Sequence, residues 1–99
     1  MGSWKQLLAS MVADQNPKSY TYQEAASVLL NLGFEPPRKT GGSHRKFRLE
    51  VPDDSSPSGR RGVIVGLVER GHGTLKPKYI TVMVQTLRDN HLLPEGVDQ

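Results

Sequence analysis

The residues around position 44 have the types and spacing to act on a phosphodiester. Residues 38–48 read Arg38-Lys39-Thr40-Gly41-Gly42-Ser43-His44-Arg45-Lys46-Phe47-Arg48, with five cations and no acid. Imidazole exchanges protons near neutrality without special perturbation. RNA supplies its own nucleophile, the 2′-hydroxyl beside each phosphodiester. Cleaving it takes a group that moves a proton and cations that stabilise the charge developing on phosphorus. His44 can move the proton. Lys46 and Arg48 can meet phosphate oxygens, and the backbone N–H groups at Gly41-Gly42 can form an anion-binding nest. No metal is needed. The same residues also suit an exposed turn histidine, or a phosphate contact without catalysis.

Other chemistries fit less well. The chain has no Cys, which excludes disulfides, thiolate metal ligands and a cysteine nucleophile. The three His, at 44, 72 and 91, match no metal spacing. Gly41-Gly42-Ser43 lacks the length of a phosphate-binding Gly-rich loop and the helix that should follow it. Ser43 and His44 are neighbours on a strand and point to opposite faces, which argues against a serine hydrolase. His72 lies between two glycines and reads as a turn residue. His91 reads as a complement to a helix C-terminal dipole. Trp4 and Tyr79 read as core; Tyr20 and Tyr22 flank a helix cap and suit either core packing or base stacking.

The 99 residues make one domain with one modest core. Net charge is +3, and residues on either side of the 38–48 segment each sum to −1, so the excess lies in that segment. A patch so concentrated attracts polyanions. No apolar run approaches the length of a membrane span, the N-terminus is unlike a secretory signal, and Gln6 stands where a myristoylation signal needs Ser or Thr. A cytoplasmic domain without cofactor or metal is expected.

The elements that must position these residues follow from periodicity. Ser3 can cap a first helix carrying Trp4, Leu7, Leu8, Met11 and Val12 as one stripe, with Asn16-Pro17 ending it. Thr21 and Glu24 form a capping-box signature for a helix over 22–32 that Gly33 terminates. Residues 34–39 form a short first strand, confined to an edge by Pro36-Pro37. Gly41-Gly42 signals a hairpin turn, and 44–51 alternates, with Phe47, Leu49 and Val51 opposite His44, Lys46, Arg48 and Glu50. Residues 52–61 read as a mobile loop, and 63–68 as the central or best-covered strand. Gly71-His72-Gly73 is another turn. Pro77 opens a last helix buried through Ile80, Met83, Val84 and Leu87, and 94–99 is a flexible tail.

Gly33-Phe34, then Gly42-Ser43-His44-Arg45-Lys46-Phe47, then an apolar strand, then Leu75-Lys76-Pro77 opening a helix, resembles the HicA family of mRNA interferase toxins over residues 21–93. The resemblance implies an α+β fold like the double-stranded-RNA-binding domain (α-β-β-β-α), with a three-stranded antiparallel sheet and helices on one face. Residues 1–18 would be an extra N-terminal helical extension, 19–93 the core and 94–99 the tail. It further implies cleavage of mRNA, a HicB-type antitoxin partner and catalysis by His44. Lys46 and Arg48 would hold the phosphate. Arg38, Lys39 and Arg45 would steer the RNA, with Gly42 and Ser43 beside it. Two other readings use the same face: a non-catalytic RNA-binding module, and a protein-interaction domain that docks an acidic partner.

Overall fold

A computed structural model describes residues 4–13, 20–37, 44–69, 75–94 and 97. The expected turns at Gly41-Gly42 and Gly71-His72-Gly73, the Ser3 cap and the Asn16-Pro17 stop lie outside them. The fold is α+β. Helix α1 is Trp4–Ala13, α2 Tyr22–Asn31, β1 His44–Pro52, β2 Arg60–Val68 and α3 Pro77–Asp89.

Each helix follows from local chemistry. In α1 the apolar stripe buries Leu8 and Met11, and Trp4, Leu7 and Val12 pack beside them. In α2 the capping box forms: Glu24 N–H donates to Thr21 Oγ1 at 3.1 Å, and Thr21 N–H donates to Glu24 Oε1 at 2.9 Å. The helix ends in a Schellman motif. Phe34 N–H reaches the Leu29 carbonyl and Gly33 N–H the Leu30 carbonyl, with Gly33 at φ 107°. Helix α3 starts at Pro77, whose missing N–H costs nothing there, and buries Ile80, Met83, Val84 and Leu87 as its spacing predicts. It ends in the same motif, through Leu92 N–H to Leu87 and His91 N–H to Arg88. Here the left-handed residue is His91, at φ 57°.

The sheet departs from expectation. Among the described residues it has two strands, β1 and β2, antiparallel from His44↔Val68 to Pro52↔Arg60. In place of the expected first strand, Glu35 forms a single antiparallel bridge to Arg48, with its N–H 2.8 Å from the Arg48 carbonyl. The next donor in register would be at position 37, and Pro37 has no N–H to give. Strand β1, rather than residues 63–68, therefore has neighbours on both edges. On its outer face the apolar run 63–68 is covered only at its end: Val68, opposite His44, is buried, whereas Ile64 is 52% exposed.

The connection between the strands is shorter and better ordered than the polar composition of 52–61 suggests. Pro52, Arg60 and Arg61 belong to the strands. Within the turn, Asp53 N–H donates to the Gly59 carbonyl and Ser56 N–H to the Asp53 carbonyl. The Asp53 carboxylate accepts from both the hydroxyl and the N–H of Ser55. The Ser55 hydroxyl bond, then its N–H, then the charge of Arg61 hold the Asp53 carboxyl below its usual range.

The core lies between the helices and one sheet face, centred on Phe47, Leu29, Ile80, Met83 and Leu87. Tyr20 is buried, with its hydroxyl 2.9 Å from Ser10 Oγ, so α1 is tied to the start of α2. Tyr22 sets its ring against Phe47, and Trp4 and Tyr79 pack against the core as their spacing predicts. In the C-terminal segment, Val97 is half-buried against the same core.

His91 occupies a backbone position that glycine adopts without steric cost. His91→Gly is expected to stabilise the protein by about 0.5–1 kcal/mol, read as a higher Tm. An unchanged or lower Tm would show that the left-handed residue carries no strain.

Candidate nucleic-acid interface

Period-two alternation in β1 divides its side chains cleanly. Phe47 and Val51 are buried and Leu49 half-buried on the helix side, whereas His44, Lys46, Arg48 and Glu50 are exposed on the other. Successive outward positions on one strand are about 7 Å apart. His44, Lys46 and Arg48 thus form a row along one open face, as the sequence predicts.

The register decides what lies beside that row. Strand β2 sets Val68 opposite His44, Gly66 opposite Lys46, Ile64 opposite Arg48 and Gly62 opposite Glu50. A Cβ on Gly66 would meet no atom within 4 Å, so the strand backbone beside Lys46 is open. A glycine inside a strand often marks a place where another backbone or a ligand comes close. Among the described residues no carboxylate pairs with Lys46, and no side chain hydrogen-bonds the His44 imidazole.

Arg45 does not join the row. It lies on the helix side, with its side chain only 13% exposed, and donates from Nε to Glu69 Oε1 at 3.0 Å. A second donation, from Nη1 to the His44 carbonyl at 3.0 Å, fixes it beside the strand end. Tyr22 lies in the field of this pair. Its hydroxyl pKa is raised above 10.0, first by burial and then by the Glu69 charge, with Arg45 opposing both. The structure thus gives Arg45 a role in closing the sheet end over Tyr22. Arg38, Lys39, Gly42 and Ser43 lie outside the described residues, as does His72.

Of two cations missing from the sequence-based expectation, Arg60 joins the face near the turn and Arg61 does not. Arg60 pairs with Glu50 Oε2 at 3.4 Å, and Arg48 pairs with Glu50 Oε1 at 3.5 Å. Arg61 turns toward the C-terminus of α3, where it donates to Asn90 Oδ1 and pairs with Asp53 at 3.6 Å. The sequence signal was the basic pair directly before a β-rich run. It was obscured because Ser-Gly-Arg-Arg carries no apolar alternation.

No group of His, Asp or Glu among the described residues is arranged to hold a metal ion. No described helix is long and apolar enough to cross a membrane. Comparison with protein-family models, with curated proteins and with solved structures finds no match for this chain. The case for function therefore rests on the residues and their placement.

Removing the Arg45 guanidinium takes away a charge that favours the Tyr22 phenolate. Arg45→Ala is expected to raise the Tyr22 pKa further and to cost about 1 kcal/mol of stability. Spectrophotometric titration of tyrosinate checks the first, and denaturant unfolding the second. A fall in the Tyr22 pKa would contradict this arrangement.

Proposed function

We propose that this chain is a metal-independent endoribonuclease with the activity of the HicA-like mRNA interferases that its sequence resembles. One observation carries the reading. The β1–β2 register sets His44, Lys46 and Arg48 in consecutive outward positions on an exposed face. At its His44–Lys46 end, no described carboxylate neutralises that face.

RNA laid along β1 would bring one phosphodiester to His44 and Lys46. The 2′-oxygen attacks the adjacent phosphorus, an O2′–P bond forms and the P–O5′ bond breaks. The products are a 2′,3′-cyclic phosphate and a 5′-hydroxyl. The 2′-hydroxyl gives up a proton and the 5′-oxygen gains one, and an imidazole at His44 can serve either transfer. Lys46 offsets the charge that builds on the non-bridging oxygens, and Arg48, paired with Glu50, meets the strand further along β1. The order α2, the Glu35 bridge, β1, β2, α3 accords with the α-β-β-β-α plan of the double-stranded-RNA-binding domain. The Lys76-Pro77 start of α3 accords with the resemblance too.

Under this reading the protein acts in the cytoplasm on mRNA, and a HicB-type antitoxin neutralises it. The same basic face suits acidic side chains of such a partner. A second reading is favoured by the His44 imidazole, which no described side chain orients. Without an orienting group, the face would bind RNA without cutting it.

Cleavage of RNA in chelator separates the two. The nuclease reading predicts scission by the wild type and a loss of about 10²–10⁴-fold in His44→Ala. The variant should fold normally, because the side chain is exposed. Equal cleavage by the folded variant would remove His44 from the chemistry. RNA binding by both proteins with cutting by neither would establish the binding module instead.

A further inference from the structure

The outer face of the hairpin does not end at Arg48. Beyond it lies an open depression of about 390 Å³ lined by Arg48, Glu50, Ser58, Arg60, Arg61 and Gly62. Three arginines and one glutamate thus line it, and two of the arginines, Arg48 and Arg60, pair with that carboxylate. We propose that this depression is a second phosphate subsite, which takes a phosphodiester of the same RNA strand several nucleotides away from the one at His44. The inference rests on the nuclease or RNA-binding reading of the β1 face and extends it to the turn end of the hairpin.

Three observations point to an anion there. Glu50 holds two arginines at once through different oxygens, Arg48 at 3.5 Å and Arg60 at 3.4 Å. These are long, exposed pairs, of the kind worth about 0–1 kcal/mol. Each guanidinium keeps donors for a phosphate while Glu50 keeps both at the surface. Arg60 is 71% exposed, so its fork is open to solvent.

Gly62 supplies the room. A Cβ there would sit 3.1 Å from Cζ and Nη2 of Arg48, tighter than ordinary van der Waals contact. With glycine, the Arg48 guanidinium can lie against the strand backbone at the edge of the depression. Arg61 adds charge from the far side, held by Asp53 and Asn90.

Continuity with the His44 row favours RNA over an acidic peptide. Arg60 lies opposite Pro52, and from His44 to Pro52 the strand rises roughly 27 Å. A dinucleoside phosphate cannot span that distance, whereas a strand of about eight nucleotides can. The two subsites therefore predict affinity that grows with strand length until both ends of the face are filled.

The test uses RNA methylated at its 2′-oxygens, which cannot be cut. Fluorescence anisotropy compares a strand of about eight nucleotides with a dinucleoside phosphate on the wild type, Arg60→Ala and His44→Ala. The wild type is expected to prefer the longer strand. Arg60→Ala is expected to shrink that preference by about five- to tenfold and to lower the salt dependence of long-strand binding by about one phosphate contact. Gly62→Val, which pushes Arg48 aside, should act in the same direction. Long-strand binding with an Arg60→Ala preference equal to wild type would overturn the subsite while leaving the reading of His44 intact. Absence of any RNA binding by the wild type would overturn both. If polyglutamate alone lost affinity in Arg60→Ala, the depression would be a protein-docking site instead.

Discussion

The antiparallel register of β1 against β2 is the constraint on which the rest depends. Side chains alternate with period two, so slipping β1 by one residue would bury Lys46 and Arg48 and expel Phe47. Phe47 is fully buried, faces Val65 across the ladder and packs against Tyr22. Removing such an aromatic from the core costs about 3–5 kcal/mol, far more than any surface pair on this face returns. Core and candidate site are two sides of one decision: the packing of Phe47, Leu49 and Val51 forces His44, Lys46 and Arg48 outward.

That register is pinned at three places along the hairpin. At the turn, Asp53 closes onto Gly59 and its carboxylate braces Ser55. At the middle, Glu35 bonds Arg48 from the far edge of β1. At the open end, Arg45, just inside β1, joins Glu69, one residue past the end of β2. Arg45 illustrates how a cluster of cations in the sequence becomes a smaller cluster in space. Of the basic residues described in 38–48, two remain on the outer face, one is taken inward, and Arg60 arrives from the other strand.

Local chemistry was legible in the sequence. Thr21 with Glu24, Gly33 and Pro77 each mark a helix end through contacts within a few residues, and the stripes of α1 and α3 have the helical period. The outward set His44, Lys46, Arg48 was legible for the same reason, since alternation needs only the strand itself. Features set by distant partners were not. Glu35 manages one bridge because of what Pro37 lacks, and nothing in 34–39 states its register. Arg60 carries no apolar pattern, and its place on the face exists only through pairing with Pro52. Ile64 sits in an apolar run that reads as buried on both sides, yet on the outer side Val68 is buried and Ile64 is exposed. The partner of Arg45 lies 24 residues away.

The proposed function requires RNA to meet the outer face of the β1–β2 hairpin. It is tested most directly by NMR, following backbone amides and the His44 imidazole as uncleavable 2′-O-methylated RNA is added. Shifts are expected to concentrate at His44, Lys46, Arg48, Ile64 and Gly66, with α1 and the exposed side of α3 unmoved. Shifts confined to the helices, with the hairpin silent, would contradict it.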